Sequence, residues 1–201
     1  MISLGLSYHA VGAEGIKALW QCDHLFVFLR ILNLSFCLIE SGGAAALAPR
    51  IRSSSMLHRL EISGNALGSY GMGALILNGL DGSASLEALI LDQNKIGDEG
   101  AIALANTLAL PGAISELSLR LNGIGPAGVK ELSNALSNKE FPLKRLDIGG
   151  NTIGNLGCVH LANALKRNRC LLHLNLAGNS LSNTQMKNIL VLSAEVSGMA
   201  G

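Results

Sequence analysis

Aromatic residues are scarce in this 201-residue chain, at 3%, so its core has to be built from Leu, Ile, Val and Ala. Charge is scarce as well. Asp, Glu, Lys and Arg make up 14% and leave a net of +1, which excludes an overall basic excess that would draw nucleic acid and any polyanionic tail. The four cysteines, Cys22, Cys37, Cys158 and Cys170, include no C-x-x-C pair. Their spacing fits neither a zinc knuckle nor a disulfide framework, and reduced thiols in an intracellular protein are expected. The histidines form no H-E-x-x-H or H-x-H pattern, and no constellation of catalytic side chains appears, so no enzyme, metal or cofactor is expected. The longest apolar segment, His24 to Glu40, is interrupted by Arg30 and Asn33 and falls short of the ~20 residues a membrane span needs. The first residues lack a basic stretch followed by an apolar run, so no signal peptide is read, and a cytoplasmic location is expected.

What the chain does have is aliphatic residues and glycine: 49% of it is hydrophobic and 24 residues are Gly. The stretch LDQNKIGDEG, Leu91 to Gly100, opens like a calcium loop, with Asp92, Asn94 and Gly97 at the first, third and sixth places. The fifth ligand place holds Ile96 and the twelfth holds Ala103, so two oxygen donors are missing and calcium binding is rejected. Asn94, Ile96 and Gly100 need another explanation.

A repeat supplies it. Leu86, Leu89, Leu91, Asn94, Ile96 and Gly100 share a frame with Leu143, Leu146, Ile148, Asn151, Ile153 and Gly157, and seven such units begin at residues 1, 29, 57, 86, 114, 143 and 171. Each unit is 28 or 29 residues long. The asparagine place holds Cys37 in the second unit and His9 in the first, and Gln185 replaces the glycine in the last. The L-x-x-L-x-L segment alternates as a strand does, so stacked copies predict a parallel sheet. The asparagine follows the strand where the chain turns, and its amide is suited to bonding a backbone that has no ladder partner; a cysteine thiol does this only weakly. The second half of each unit predicts a helix, with Leu104 and Leu108, Leu132 and Leu136, and Leu161 and Leu165 each four apart on one face. Asp98 and Glu99 suit the positive N-terminal end of their own helix.

The unit resembles the leucine-rich repeats of the ribonuclease-inhibitor type, over essentially the whole chain. The resemblance implies an α/β solenoid with the parallel sheet on its concave side, here one domain over residues 1–201. Such repeats occur in ribonuclease inhibitor, NOD-like receptors, Ran GTPase-activating protein and related protist proteins, so the fold alone does not select a function. No nucleotide-binding domain and no long acidic tail accompany them here. The frame starts at Met1 without a polar cap and trails off after Gln185, with Ile189 and Leu190 suited to a final helix. A segment of a longer array, or a chain that stacks on another protein at its N-terminal edge, is expected.

Partner recognition has to sit where the frame leaves freedom, on the outward strand positions. These bring Arg59, Glu61, Ile90, Asp92, Glu116, Arg120, Arg145 and Asp147 to one face, with Tyr8 and Phe36 just beyond the first two strands. Asp92 stands one strand from Arg120, and Glu116 one strand from Arg145. Two readings follow: a mixed-charge patch that grips a protein with Ile90 as an apolar contact, or cross-strand ion pairs on a solvated face. Tyr8 and Phe36 read as aromatic anchors or as a plug over the N-terminal edge. The expected function is a non-catalytic scaffold that binds a protein on its concave face. The alternatives are a GTPase-activator-type regulator using Arg59, Arg120 or Arg145, and a structural or sensor segment of a larger NOD-like or axonemal protein.

Overall fold

The computed structural model describes residues 2–21, 27–81, 83, 85–108, 114–138, 141–185 and 187. Met1, Cys22, Ile189 and Leu190 lie outside the described residues.

Strand and helix alternate throughout. The order is β1 (Ile2–Gly5), α1 (Gly12–Leu19), β2 (Leu29–Asn33), α2 (Glu40–Ser53), β3 (Arg59–Glu61), α3 (Gly68–Leu75), β4 (Ala88–Ile90), α4 (Gly97–Leu108), β5 (Glu116–Ser118), α5 (Pro126–Leu136), β6 (Arg145–Asp147), α6 (Gly154–Leu165) and β7 (His173–Asn175). The seven strands form one sheet in sequence order, every neighbouring pair parallel. Register follows the repeat frame, so Arg59, Ala88, Glu116, Arg145 and His173 stand in one row across the sheet. The apolar segment that includes Leu29–Asn33 is therefore partly a strand. Among the described residues no helix is long and apolar enough to cross a membrane.

The frame leucines point inward. Leu32, Leu60, Leu89, Leu117 and Leu146 are all buried, and the helices close over them with Leu104, Leu132, Leu136 and Leu161. Leu165 departs from the expected pairing: it is half-buried, and Ala164 takes the buried place. The unit that begins at Leu57 is one of the longer ones, and its helix ends in a π turn, Ile76–Leu80. A π turn spans one residue more per hydrogen bond than an α turn, which takes up the extra residue.

The asparagines form a ladder. Asn151 Nδ2 donates to the carbonyls of Leu119 (2.9 Å), Ile148 (2.8 Å) and Gly149 (3.4 Å). Its Oδ1 accepts the N–H groups of Asn122 (2.9 Å) and Ile124 (3.1 Å) in the preceding unit. Asn65, Asn94 and Asn122 repeat the pattern, and all are buried. Each amide thus joins two adjacent turns whose backbone groups have no strand partner. Cys37 keeps the donor half, with Sγ donating to Leu6 O, as a weak thiol donor. It lacks an amide oxygen, and His9 N–H turns back to Leu6 O instead. The His9 ring nitrogen Nδ1 bonds within its own turn, to the carbonyls of Leu6 and Ser7.

Asp98 stands where expected and has a second role. It lies in the first turn of α4, yet its Oδ1 accepts Gly125 N–H (2.7 Å) and Gly128 N–H (2.8 Å). It caps the next helix, α5, whose first N–H groups have no partner of their own. Asn155 holds the same place two units later and accepts Ser182 N–H at 3.1 Å.

The concave face as candidate binding site

Parallel strands that are buried on one side present positions three, five and seven of each unit on the other. Charged side chains cannot be buried there without partners, so they bond to one another across the strands. The first network starts at Ser7, whose Oγ donates to Asn33 Oδ1 at 2.8 Å. Asn33 Nδ2 donates to Glu61 Oε2 at 2.7 Å, and Glu61 Oε1 takes Arg59 Nε. Arg59 Nη1 then reaches Glu116 Oε2 at 3.0 Å. The hydrogen bond it donates to Glu61, and with it the bond to and charge of Glu116, push the Arg59 guanidinium above its ordinary range despite partial burial.

That bond corrects the expected pairing of Glu116 with Arg145. Ala88 lies between Arg59 and Glu116 in the row, and its small side chain lets the long arginine span two strands. Asp92 also fails to pair with the Arg120 guanidinium. Asp92 Oδ1 accepts Ser118 Oγ (2.5 Å) and Arg120 N–H (3.0 Å), while Arg120 Nη1 turns to Asp147 Oδ2 at 3.4 Å. Asp147 is further held by Gly149 N–H (2.9 Å) and Asn175 Nδ2 (2.9 Å). Arg145 is exposed, and its side chain has no hydrogen bond or ion pair among the described residues.

A hollow of about 680 Å³ opens over β4 to β7. Of the expected site residues, Ile90, Asp92, Glu116, Arg120, Arg145 and Asp147 line it, together with His173, Asn175 and Leu172. Arg59 and Glu61 stand outside it, one strand towards the N-terminus. Leu172 was not among the expected residues; it is 70% exposed at the second place of its unit, a place the inward–outward alternation does not single out.

Tyr8 and Phe36 lie apart from this patch, at the turns after β1 and β2. Their rings stack with centroids 4.8 Å apart and planes 3° from parallel, a separation equal to the spacing of neighbouring strands. Both residues have positive φ, as does Gly64 in the next unit. The Phe36 ring covers Gly64 so closely that a methyl group there would collide with it.

Cys37 and Cys158 are buried free thiols, and burial pushes both up in pKa, which keeps them protonated. Cys170 is half-buried and forms no disulfide among the described residues. No group of three or more His, Cys, Asp and Glu that could hold a metal ion occurs among the described residues.

Comparison with known proteins agrees with the repeat. The Leucine Rich repeat family matches residues 27–48, 53–75, 82–105, 114–133, 141–162 and 167–186, one segment in every unit but the first. Mouse NACHT, LRR and PYD domains-containing protein 12 is 31% identical over 182 residues, 90% of this chain and 17% of that protein. Mouse ribonuclease inhibitor is 30% identical over 190 residues, 93% of this chain and 41% of the inhibitor. The chain thus spans less than half the length of these curated relatives. A solved structure of leiomodin-1 actin-binding site 2 superimposes with a TM-score of 0.53 and 20% identity, over 64% of this chain and 73% of that one, a likeness of fold alone.

Proposed function

Because the chain belongs to the leucine-rich-repeat family, we propose that it is a non-catalytic scaffold that binds a partner protein on its concave face. The observation that carries this reading is the bonding across the sheet. Asp92, Glu116 and Asp147 are fixed by neighbouring strands, which pre-organises a polar surface before any partner arrives. Arg145 is left free to pair outward. Ribonuclease inhibitor, one of the relatives, is by its name a protein that acts on another protein. The seven units act as one repeat domain, and the cytoplasm is the compartment in which it works; the buried thiols of Cys37 and Cys158, neither in a disulfide, support that placement.

The alternative of a regulator that offers an arginine to a GTPase rests on Arg145 alone. Arg59 is committed to two carboxylates and Arg120 to one. A small GTPase recovered through Arg145 would favour it.

The test is affinity capture from native lysate, with the chain as bait beside an Arg120→Glu, Arg145→Glu bait that melts like the parent. The parent is expected to retain a protein that the double variant loses. Equal capture by both baits contradicts the concave reading.

A further inference from the structure

The near-neutral total charge conceals a division along the chain. Residues 141–187 carry Lys144, Arg145, Lys166, Arg167, Arg169 and Lys187 against one carboxylate, Asp147. Residues 1–140 carry nine Lys and Arg against twelve Asp and Glu. The last two units are therefore a basic end on an otherwise acidic array.

The fold puts most of that charge at the corner where α6 ends and β6 and β7 begin, on two sides of it. Lys144 and Arg145 stand at the start of β6, and Lys166, Arg167 and Arg169 stand in the connection from α6 to β7, where Lys166 and Arg167 line a groove between α5 and α6. The N–H groups of Leu172 and His173 both bond Lys144 O, at 2.8 and 3.0 Å, which brings the end of that connection against the start of β6. The connection is also held in place. Asn168 is buried, donates to Leu136 O at 2.8 Å, and accepts the N–H groups of Cys170 (2.9 Å) and Leu171 (2.7 Å). Lys166, Arg167 and Arg169 are exposed around that anchor.

The carboxylates nearby are already engaged. Asp147 accepts from Gly149, Asn175 and Arg120, and Glu116, the register neighbour of Arg145, is held by Arg59. Arg145 and its other register neighbour, His173, are both exposed beside the hollow, and neither side chain has a hydrogen bond or ion pair among the described residues. Leu172, next to them, is 70% exposed.

We propose that this corner binds an acidic segment of a partner protein. Its carboxylates fall on Arg145, His173 and the basic connection, and an apolar side chain falls on Leu172. This rests on the reading of the concave face as a protein-binding surface and names the chemistry of the partner. Complementary charge of this kind steers encounter and sets specificity. An acidic polypeptide fits better than a nucleic acid, because the only Phe, Tyr or Trp in residues 141–187 is Phe141, which is buried, so no ring is available for base stacking.

The test is fluorescence anisotropy with three labelled probes: a peptide of alternating glutamate and leucine, its lysine–leucine counterpart, and oligothymidylate. The glutamate peptide is expected to bind, more weakly as salt is added, and the lysine peptide is not. Arg145→Glu with Arg167→Glu is expected to weaken binding at least about tenfold, whereas the distant pair Arg52→Glu and Lys95→Glu stays within about twofold. Equal weakening by both pairs, no binding of the glutamate peptide, or tighter binding of oligothymidylate overturns the proposal. The two readings fail separately. Lysate capture that depends on Arg120 and Arg145, with no peptide binding, removes the acidic partner alone; peptide binding with capture unchanged in the double variant removes the concave reading of the captured protein.

Discussion

Replacing Asn151 by alanine is expected to destabilise the protein by about 3–5 kcal/mol, through the loss of five hydrogen bonds at one buried side chain. The cost is uneven among them. Ile148 O keeps a second donor, Asn179 Nδ2 at 2.9 Å. The N–H groups of Asn122 and Ile124 lose the acceptor the ladder gives them, inside a region where both residues are buried. Each orphaned buried donor costs about 1–3 kcal/mol, and these two dominate. Asn179→Ala is the internal control. Its Oδ1 has no partner among the described residues, and its Nδ2 makes two bonds, so about 1 kcal/mol is expected there. Asn151→Asp does not rescue, because it turns a carboxylate oxygen towards three carbonyl oxygens. Urea melts of the three variants read this out. Equal midpoints for Asn151→Ala and Asn179→Ala would show that the ladder does not hold the turns together.

Gly128→Leu is expected to cost at least about 3 kcal/mol, because the first turn of α5 packs directly on α4. A methyl carbon placed on Gly128 would lie 2.7 Å from Asp98 Oδ1, 2.9 Å from Ala101 Cβ and 2.9 Å from Ile124 Cγ2. Relief by moving α5 outward breaks the Asp98 cap on Gly125 and Gly128, worth about 1 kcal/mol in itself. Gly73 on α3 is the contrast. Nothing lies within 4 Å of a methyl carbon there, so Gly73→Ala is expected to stabilise by about 0.5–1 kcal/mol. The sign difference is the measurement in thermal or urea melts: a Gly128→Leu variant as stable as the parent would contradict the close approach of α4 and α5, and a Gly73→Ala variant less stable than the parent would contradict the open space at Gly73.

The seven units, their register and the role of Asn94 were legible in the sequence because the same side-chain types return at fixed spacing, and stacking turns that spacing directly into contacts. Gly100 and Gly128 were visible as a column, but their reason was not. The reason lies in the residue at the place of Ile96 or Ile124, which packs over the glycine, and at Gly128 also in the helix of the preceding unit. Asp98 was placed at the start of its own helix, where it is; its hydrogen-bond partner 27 residues on, across the helix layer, was not legible because only local sequence entered. The charge pairs were half legible. Register places Glu116 beside Arg145, yet side-chain reach over the small Ala88 gives Glu116 to Arg59. The basic end was present in the letters and was averaged away by a net charge of +1.

Arginine footprinting with phenylglyoxal, on the chain alone and bound to its captured partner, tests the central claim most directly. Arg120 and Arg145 face the concave hollow, while Arg52 is exposed at the end of α2 on the helical side. The partner is expected to protect Arg120 and Arg145 and to leave Arg52 as reactive as before. Protection of Arg52 with Arg120 and Arg145 unchanged would put the partner on the helices and contradict the account.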